Sequence, residues 1–437
     1  MAGIIPGVID PPLPPDPTSR LLCDLLRFDD SRLSSLPEQM AAIDWRLFAR
    51  LAAGYGLVGV LYGRLERLPQ ALAAPPAALA ELRRFYLAQA SLDLRRKHWL
   101  TEVLEALHAR SLAVIALKGA YLAEAVYADS LDRPMVDIDL LVQLADLPGV
   151  AHALTDLGYQ ASKDFWLDVE LGVEHQLPSF MKSGATPVEV HWCLLDPDLP
   201  FPVDLPALWQ RALPAQVAGQ PVRCLCPEDL LLHLCLHAAT QHRFRDGLRN
   251  VYDVAATLVH FRDTLDWEAL LQRAQEWQAG RALFLMFWLA LELFAAPLPE
   301  GLLQKLQPPD FGPTQVELAF SLLFTQPDEQ FSFPVRLAEV AQADSPWQRL
   351  RLVWRQLFLP PQEIARRYPV RPNSWKVFLY YPVRWRDLLR YRSPLAWGLL
   401  RRDPNTLTQA QGKYNRQVTE DLLIGWVLGE PTNLPRS

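Results

Sequence analysis

Long apolar runs, a cysteine framework and internal repeats are all missing from this 437-residue chain. No uncharged apolar stretch reaches the roughly 18 residues that a membrane-spanning helix needs, so we expect none. The N-terminus lacks a basic region followed by an apolar one, which argues against a signal peptide. Cysteines number only five, which favours free thiols in a reducing cytoplasm over a disulfide framework.

The composition is that of a folded protein. Half of the residues are hydrophobic and about a tenth are aromatic, so the chain can bury a large core. Only residues 1–18, which are rich in proline and have no apolar periodicity, are expected to form a disordered tail.

Charge is unevenly distributed. The chain has a net charge of −6, but residues 349–402 hold thirteen Lys or Arg and only two acidic residues. This segment therefore carries +11, and the rest of the chain carries −17. Ten aromatic residues accompany the basic ones, so residues 343–437 form a basic aromatic C-terminal region.

Three interpretations of this region are open. Arginines and aromatic rings can bind nucleic acid through phosphate contacts and stacking. They can also make peripheral contact with an anionic membrane surface. We favour a third interpretation, packing against the acidic remainder of the chain, because FLYYPVRWRDLLRY is as apolar as it is basic.

Apolar periodicity divides the chain into segments. Spacing of i, i+3, i+4 and i+7 predicts helices in an N-terminal helical region and in a later helical domain. Between them, SLAVIAL, MVDIDLLV and PVEVHW have the pattern of strands, with helices in the intervening sequence. We predict an α+β fold, a mainly helical chain with a small mixed-sheet core inserted between helical regions. The predicted segments are 19–108 (helical), 109–222 (α/β core), 223–342 (helical) and 343–437 (basic and aromatic).

Asp137 and Asp139 lie two residues apart on the predicted strand at 135–142. Period 2 places both carboxylates on one face, with Ile138 and Leu140 turned toward the core. Two close carboxylates repel each other, and Mg²⁺ or Mn²⁺ would supply the missing counter-charge. The same pair also occurs on half-exposed strands where water solvates both acids, so alone it is weak evidence.

Neighbouring motifs strengthen the pair. Lys118 and Gly119 lie where a predicted strand leads into a helix, and a glycine and a helix N-terminus at such a point favour phosphate. Glu189 and His191 share one face of the strand at 187–192 by the same period-2 argument. An ordinary strand-to-helix turn and an edge strand with outward polar residues would give the same two patterns.

Taken together, these motifs resemble a known family. The stretch ALKGAYLAEAVYADSLDRPMVDIDLLV is similar to the signature of the uncharacterised nucleotidyltransferase family of the polymerase-β superfamily. The Gly-Tyr at 158–159, the VEVHW strand, the PEDLLLHLCLH helix, and RLVWRQLFLPPQEI and FLYYPVRWRDLL near the C-terminus are also similar. The resemblance covers nearly the whole chain from about residue 20.

The resemblance implies roles for individual residues. Asp137, Asp139 and Glu189 would be the catalytic carboxylates and the ligands of Mg²⁺ (or Mn²⁺), with Glu189 as general base or metal ligand. Nucleotide phosphate would contact Lys118, Gly119 and Arg133. Two departures are visible: Lys-Gly replaces the superfamily's Gly-Ser, which removes a phosphate-binding hydroxyl, and Glu189 replaces an Asp.

The expected function is transfer of an NMP group from an NTP such as ATP to an unidentified acceptor, with release of pyrophosphate. Peptides, small metabolites and sugars are the acceptors that the resemblance suggests. A non-catalytic nucleotide sensor or scaffold is one alternative, and a toxin-like transferase acting on tRNA is another, less favoured because the net charge is negative.

Histidines in the helix after residue 227 suggest two further sites. His191 and His237 are expected to line the pocket. A zinc site would use the set His233, Cys235, His237, Cys224 and Cys226. A helical phosphohydrolase site would use His237, His242 and Asp253. We favour a core or pocket-lining role, because LLLHLCLH has the pattern of a buried helix and no adjacent His-Asp pair is present.

Overall fold

The computed structural model describes residues 14, 16–69, 74–163, 174–325, 333–343, 345–368, 370–371 and 373–430. It confirms the predicted α+β class, since a seven-stranded mixed sheet lies among helices. Most of the predicted tail, residues 1–18, lies outside the described residues. The first helix begins at Pro17, where the Asp16 side chain accepts hydrogen bonds from the backbone N–H groups of Thr18 and Ser19.

The sheet has the strand order β3-β4-β5-β2-β1-β7-β6. Its strands are β1 (Val114–Ala116), β2 (Ile138–Val142), β3 (Gln160–Ala161), β4 (Phe180–Met181), β5 (Val188–His191), β6 (Leu213–Val217) and β7 (Gln220–Cys224). β2 runs parallel to β5 and antiparallel to β1, while β1 runs parallel to β7. The three central strands are continuously apolar on the core side, which suits a sheet covered by helices.

The hairpin of β6 and β7 was not predicted from the sequence. Ala218 and Gly219 form its two-residue turn, both with positive φ (51° and 76°), as a type I′ turn requires. Pro214 and Pro221 lie within the two strands. Proline is normally evidence against a strand, and it hides this hairpin from pattern analysis.

Along the chain, helices lie before, between and after the strands. Those of the N-terminal region are α1 (Pro17–Leu26), α2 (Leu36–Ala41), α3 (Trp45–Gly54), α4 (Val58–Arg67) and α5 (Pro76–His108). Those between strands are α6 (Lys118–Ala125), α7 (Leu147–Asp156) and α8 (Leu205–Arg211). Those after the sheet are α9 (Pro227–Leu236), α10 (Leu248–His260), α11 (Trp267–Glu276), α12 (Gly280–Phe294), α13 (Leu302–Leu306) and α14 (Pro313–Leu323).

Two of these helices form the centre of the helical domain. α12 is hydrophobic on almost every side and is buried along most of its length, with Trp288 fully enclosed. α9 is buried along nearly its whole length too, and it continues into a π-helical turn, His237–Gln241. Single π turns are frequent at functional sites, and this one lies beside the candidate site.

The chain divides into two compact units. The first joins Met1–Ser162, Val173–Pro327 and Leu423–Ser437, and the second joins Lys163–Gly172 and Asp328–Leu422. The first unit contains the whole sheet. In the part of the chain that the structure describes, no helix is long and apolar enough to cross a membrane. All five cysteines are unpaired thiols, as expected.

The second unit contains most of the basic aromatic region. Its helices are α15 (Val335–Gln342), α16 (Pro346–Leu357), α17 (Pro361–Arg367), α18 (Tyr380–Leu400) and α19 (Pro404–Val427), the last ending in the first unit. Arg384 and Trp385 donate hydrogen bonds to the last backbone carbonyls of α16, whereas Trp347 and Trp354 are exposed. The nucleic-acid, membrane and packing interpretations of this region stay predictions.

Candidate active site

The two aspartates predicted to share a face lie at the start of β2. Asp137 directly precedes the strand and is half-buried, and Asp139 is its second residue and only 1% exposed. Ile138 and Leu140 are fully buried on the opposite face, as the alternating pattern predicted. Both aspartates line one cavity.

Glu189 and His191 lie beside Asp139 on the neighbouring strand, β5. In the parallel pairing of β2 with β5, Asp139 lies opposite Glu189 and Leu141 lies opposite His191. His191 Nε2 is 2.8 Å from Asp139 Oδ1 and 3.9 Å from Glu189 Oε2. Ser179 Oγ donates a hydrogen bond of 3.0 Å to Glu189 Oε1, which orients that carboxylate. Glu189 and His191 thus lie next to Asp139 but are not among the residues that line the cavity, so of the two histidines predicted to line it only His237 does.

Lys118 connects the strand-to-helix turn to the same carboxylate. Its Nζ lies 3.0 Å from Asp139 Oδ1. The residue has φ = 41°, a left-handed conformation that costs a non-glycine residue roughly 1 kcal/mol or more. Such strain concentrates at functional sites. Gly119 follows in the first turn of α6, and a Cβ there would lie 3.5 Å from Arg133 Nη1.

Arg133 is buried and already paired. Its Nε lies 2.8 and 3.0 Å from the two carboxylate oxygens of Asp253 on α10, and its Nη1 donates to the carbonyl of Pro134 at 2.7 Å. Tyr127 donates a further hydrogen bond of 2.7 Å to Asp253. Arg133 therefore fastens the sheet to α10 while its guanidinium also lines the cavity beside Gly119.

The environment shifts the pKa values of the two aspartates in opposite directions. Burial raises the pKa of Asp137 to about 6, and the charge of Asp139 adds to the shift. Burial also disfavours ionised Asp139, but the Lys118 ammonium and the hydrogen bond from His191 outweigh it, so the pKa of Asp139 lies well below its usual range. Burial lowers the pKa of His191. The site thus holds one firmly ionised carboxylate beside a readily protonated one.

The other wall of the cavity was missed by sequence analysis. It consists of residues from the π turn, the following loop and α10: His237, His242, Asp246, Arg249, Asn250 and Asp253. Arg249 Nε and Asn250 Nδ2 are buried donors with no hydrogen-bond partner. The signal available was the charged stretch QHRFRDGLRN, of which His242, Asp246, Arg249 and Asn250 line the cavity.

This loop is held in an unusual backbone conformation. Arg243, Phe244 and Gly247 all have positive φ, and Phe244 is almost completely buried. A Cβ at Gly247 would lie 2.5 Å from the Tyr55 ring, so only glycine fits. The loop therefore enters α10 along a path that positions Asp246 and Arg249 over the cavity.

Two histidines of the helical side, His237 and His242, have hydrogen-bond partners, whereas neither ring nitrogen of the buried His233 has one. His237 Nδ1 donates to Gln241 Oε1 across the π turn, and Gln241 Nε2 donates to His175 Nε2 at 3.0 Å. His242 Nδ1 lies 2.7 Å from Asp246. Within the described residues, only Asp139, Glu189 and His191 bring three ligand atoms within 4.8 Å of one another. Neither the His-Cys zinc set nor the phosphohydrolase set brings three ligand atoms so close together, although His237, His242 and Asp253 line the same cavity.

Acidic residues on two adjacent parallel strands lie next to a Lys-Gly turn at a helix N-terminus, an arrangement that could hold a metal ion beside a phosphate group. The family model described as "Uncharacterised nucleotidyltransferase" matches residues 41–295, which is more than half of the chain. The chain therefore belongs to this family of nucleotidyltransferases, as the resemblance indicated. No curated protein and no solved structure matches it.

Proposed function

We propose that this chain transfers an NMP group from an NTP to an acceptor and releases pyrophosphate. The observation that carries the proposal is the set of charged groups around Asp139: Glu189 beside it in the sheet, Asp137 on the same cavity wall, and Lys118 on its Oδ1 oxygen. ATP is the first nucleotide to test.

The acidic residues fit a divalent cation. Asp139 is buried and ionised, Lys118 supplies a counter-charge, and the His191 ring donates a hydrogen bond to it. Asp137, Asp139 and Glu189 would hold the ion, which we propose to be Mg²⁺ or Mn²⁺. When bound, such an ion neutralises phosphate charge and favours ionisation of an attacking oxygen.

Cationic groups on both walls of the cavity would bind the phosphates. Lys118 and the N-terminal N–H groups of α6 at Gly119 face it from the sheet side. Arg249 and Asn250 face it from α10 with buried donors that lack acceptors, and phosphate oxygens would supply them. These α10 donors could take the place of the serine hydroxyl that binds phosphate in the superfamily's Gly-Ser turn and that this chain lacks. Arg133 would add positive charge near Gly119.

The transfer step needs a base. The acceptor's oxygen forms a bond to the α-phosphorus, the bond from that phosphorus to the β-bridging oxygen breaks, and pyrophosphate leaves with the electron pair. Glu189 is the candidate to take the acceptor's proton where it does not itself hold the ion, because Ser179 donates to its Oε1 and its Oε2 lies 3.9 Å from His191 Nε2.

The test incubates the protein with α-³²P-labelled ATP, Mg²⁺ or Mn²⁺ and three acceptor classes: peptides, small metabolites or sugars, and tRNA. Labelled AMP is followed onto the acceptor, and the unlabelled pyrophosphate is measured by a coupled phosphate assay. We expect label on one class and a loss of about 1,000-fold or more in Asp139→Asn, since several kcal/mol of transition-state stabilisation depend on the site. Asp263→Asn is the control, because Asp263 is an exposed carboxylate. Equal pyrophosphate release by wild type and Asp139→Asn would contradict the proposal.

Two outcomes of the same assay separate the alternatives. Binding of ATP without pyrophosphate release under any condition would support a nucleotide sensor or scaffold. Label on tRNA alone would support the toxin-like transferase. Peptides and small metabolites remain our preferred acceptors. The sheet side of the cavity carries acidic as well as basic residues, and an anionic polymer is a poor match for a chain of net negative charge.

A further inference from the structure

His191 lies close enough to the carboxylates of Asp139 and Glu189 to bind the same metal ion, a role that a site made of carboxylates alone does not include. Its Nε2 nitrogen, an oxygen of Asp139 and an oxygen of Glu189 all lie within 4.8 Å of one another. Asp137 does not belong to this tight group, although it lines the cavity with Asp139. The three closest potential metal ligands are thus two oxygens and one imidazole nitrogen.

We infer that His191 Nε2 is a direct metal ligand, which makes this a mixed nitrogen–oxygen site that favours a divalent transition-metal ion such as Mn²⁺ over Mg²⁺. The inference rests on the proposed metal-dependent function and names the ion class of that same site.

The separations suit a shared ion. In six-coordinate geometry with bonds of about 2.1 Å, neighbouring ligand atoms lie about 3 Å apart and opposite ones about 4 Å apart. His191 Nε2 is 2.8 Å from Asp139 Oδ1 and 3.9 Å from Glu189 Oε2, so both distances fall within that range. The three side chains could therefore contact one ion with little movement.

The remaining contacts of His191 support this role. The ring is buried and only 2% exposed, and its Nδ1 has no hydrogen-bond partner. Because no acceptor or donor at Nδ1 fixes the tautomer, the ring can carry its proton there, as metal ligation through Nε2 requires. The ion would then replace only the hydrogen bond that Nε2 donates to Asp139.

The nitrogen decides which ion is preferred. Mg²⁺ takes oxygen ligands in strict octahedral geometry and keeps its waters, whereas first-row transition metals accept imidazole. We therefore expect Mn²⁺ to bind the nucleotide-free protein at least about tenfold more tightly than Mg²⁺.

The experiment uses the full chain with Mn²⁺ alone, without nucleotide. Electron paramagnetic resonance measures free Mn²⁺ during a titration, and electron spin echo envelope modulation detects ¹⁴N nuclei bonded to the ion. We expect a ¹⁴N signal in the wild type that disappears in His191→Gln, with Mn²⁺ affinity reduced about tenfold or more. His175→Gln is the matched control, because its ring lies 5.2 Å from that of His191 and should leave the signal intact.

A second measurement does not depend on a variant that folds. Wild-type protein labelled with ¹⁵N-histidine should convert the ¹⁴N modulation to that of ¹⁵N. Tight Mn²⁺ binding without nitrogen modulation would overturn the inference but leave the metal-dependent function intact. A nitrogen signal that persists in folded His191→Gln would also overturn it. No Mn²⁺ binding, with or without ATP, would overturn both this inference and the metal-dependent function.

Discussion

The buried ion pair of Arg133 and Asp253 joins two parts of the site, and its contribution to the free energy of unfolding can be measured. Their side chains are 8% and 3% exposed, and they join the loop before β2 to α10. Removing one member leaves the other charge buried, with Pro134 O or the Tyr127 hydroxyl as its remaining partner. Loss of one partner from such a pair costs about 3–5 kcal/mol. We expect a destabilisation of that size for Arg133→Met and for Asp253→Leu.

The double variant should behave differently. Replacing a buried ion pair by apolar side chains of similar volume is often neutral or stabilising, so the two losses should not add. The Tyr127→Phe background avoids leaving the tyrosine hydroxyl without an acceptor. Urea unfolding of the four proteins in that background gives the coupling free energy, which we expect to be about 3 kcal/mol or more. Simple addition of the two single losses would refute this reasoning.

The same double variant separates structure from function. If Arg133 also binds phosphate, its affinity for ATP by calorimetry should fall although the fold is restored. Unchanged ATP affinity would assign Arg133 a purely structural role.

Lys118, Asp137 and Arg249 each give a prediction with its own measurement. Lys118→Met removes an ammonium 3.0 Å from Asp139, and two unit charges about 4 Å apart interact by about 4 kcal/mol at an effective dielectric constant of about 20. The nucleotide-free protein should therefore bind Mn²⁺ up to about 1,000-fold more tightly, since about 1.4 kcal/mol is a factor of ten, while it binds ATP more weakly. Weaker binding of both would contradict the electrostatic argument. The pKa of Asp137, raised from 3.8 to about 6, makes the metal-free fold more stable below the unfolded pKa and less stable as pH rises through the folded one. Mn²⁺ must displace that proton, so its affinity should fall as pH drops below about 6, and this slope should flatten in Asp137→Asn. Arg249→Met should weaken ATP binding by about tenfold or more, the loss of a charged hydrogen bond, and leave Mn²⁺ affinity unchanged; Arg262→Met, at an exposed position, is the control.

The sequence predicted the parts of the fold that follow local periodicity. Alternation of apolar and polar residues located β2 and β5, and the buried Ile138 and Leu140 place Asp139 on the opposite face. The same rule put Glu189 and His191 on one face. What periodicity could not give is the register between the two strands, which is set by tertiary packing and brings Asp139 opposite Glu189.

The second cavity wall could not be predicted for a different reason. Arg249 and Asn250 reach the site because a loop with left-handed residues turns α10 back toward the sheet. Phe244 adopts such a conformation, which bulky residues rarely do, and its side chain is buried there, so tertiary packing outweighs local preference. The π turn at His237–Gln241 likewise has no sequence signature.

The distance in sequence between Arg133 and Asp253 has a consequence for synthesis. These residues are 120 positions apart. At about 5–20 residues per second, a ribosome needs roughly 6–24 s to add the residues between them. During that interval β2 has already been synthesised, but Arg133 has no partner and α10 is not there to cover the cavity. We therefore expect the nascent chain to expose groups that are buried in the folded protein until the helical domain has been made.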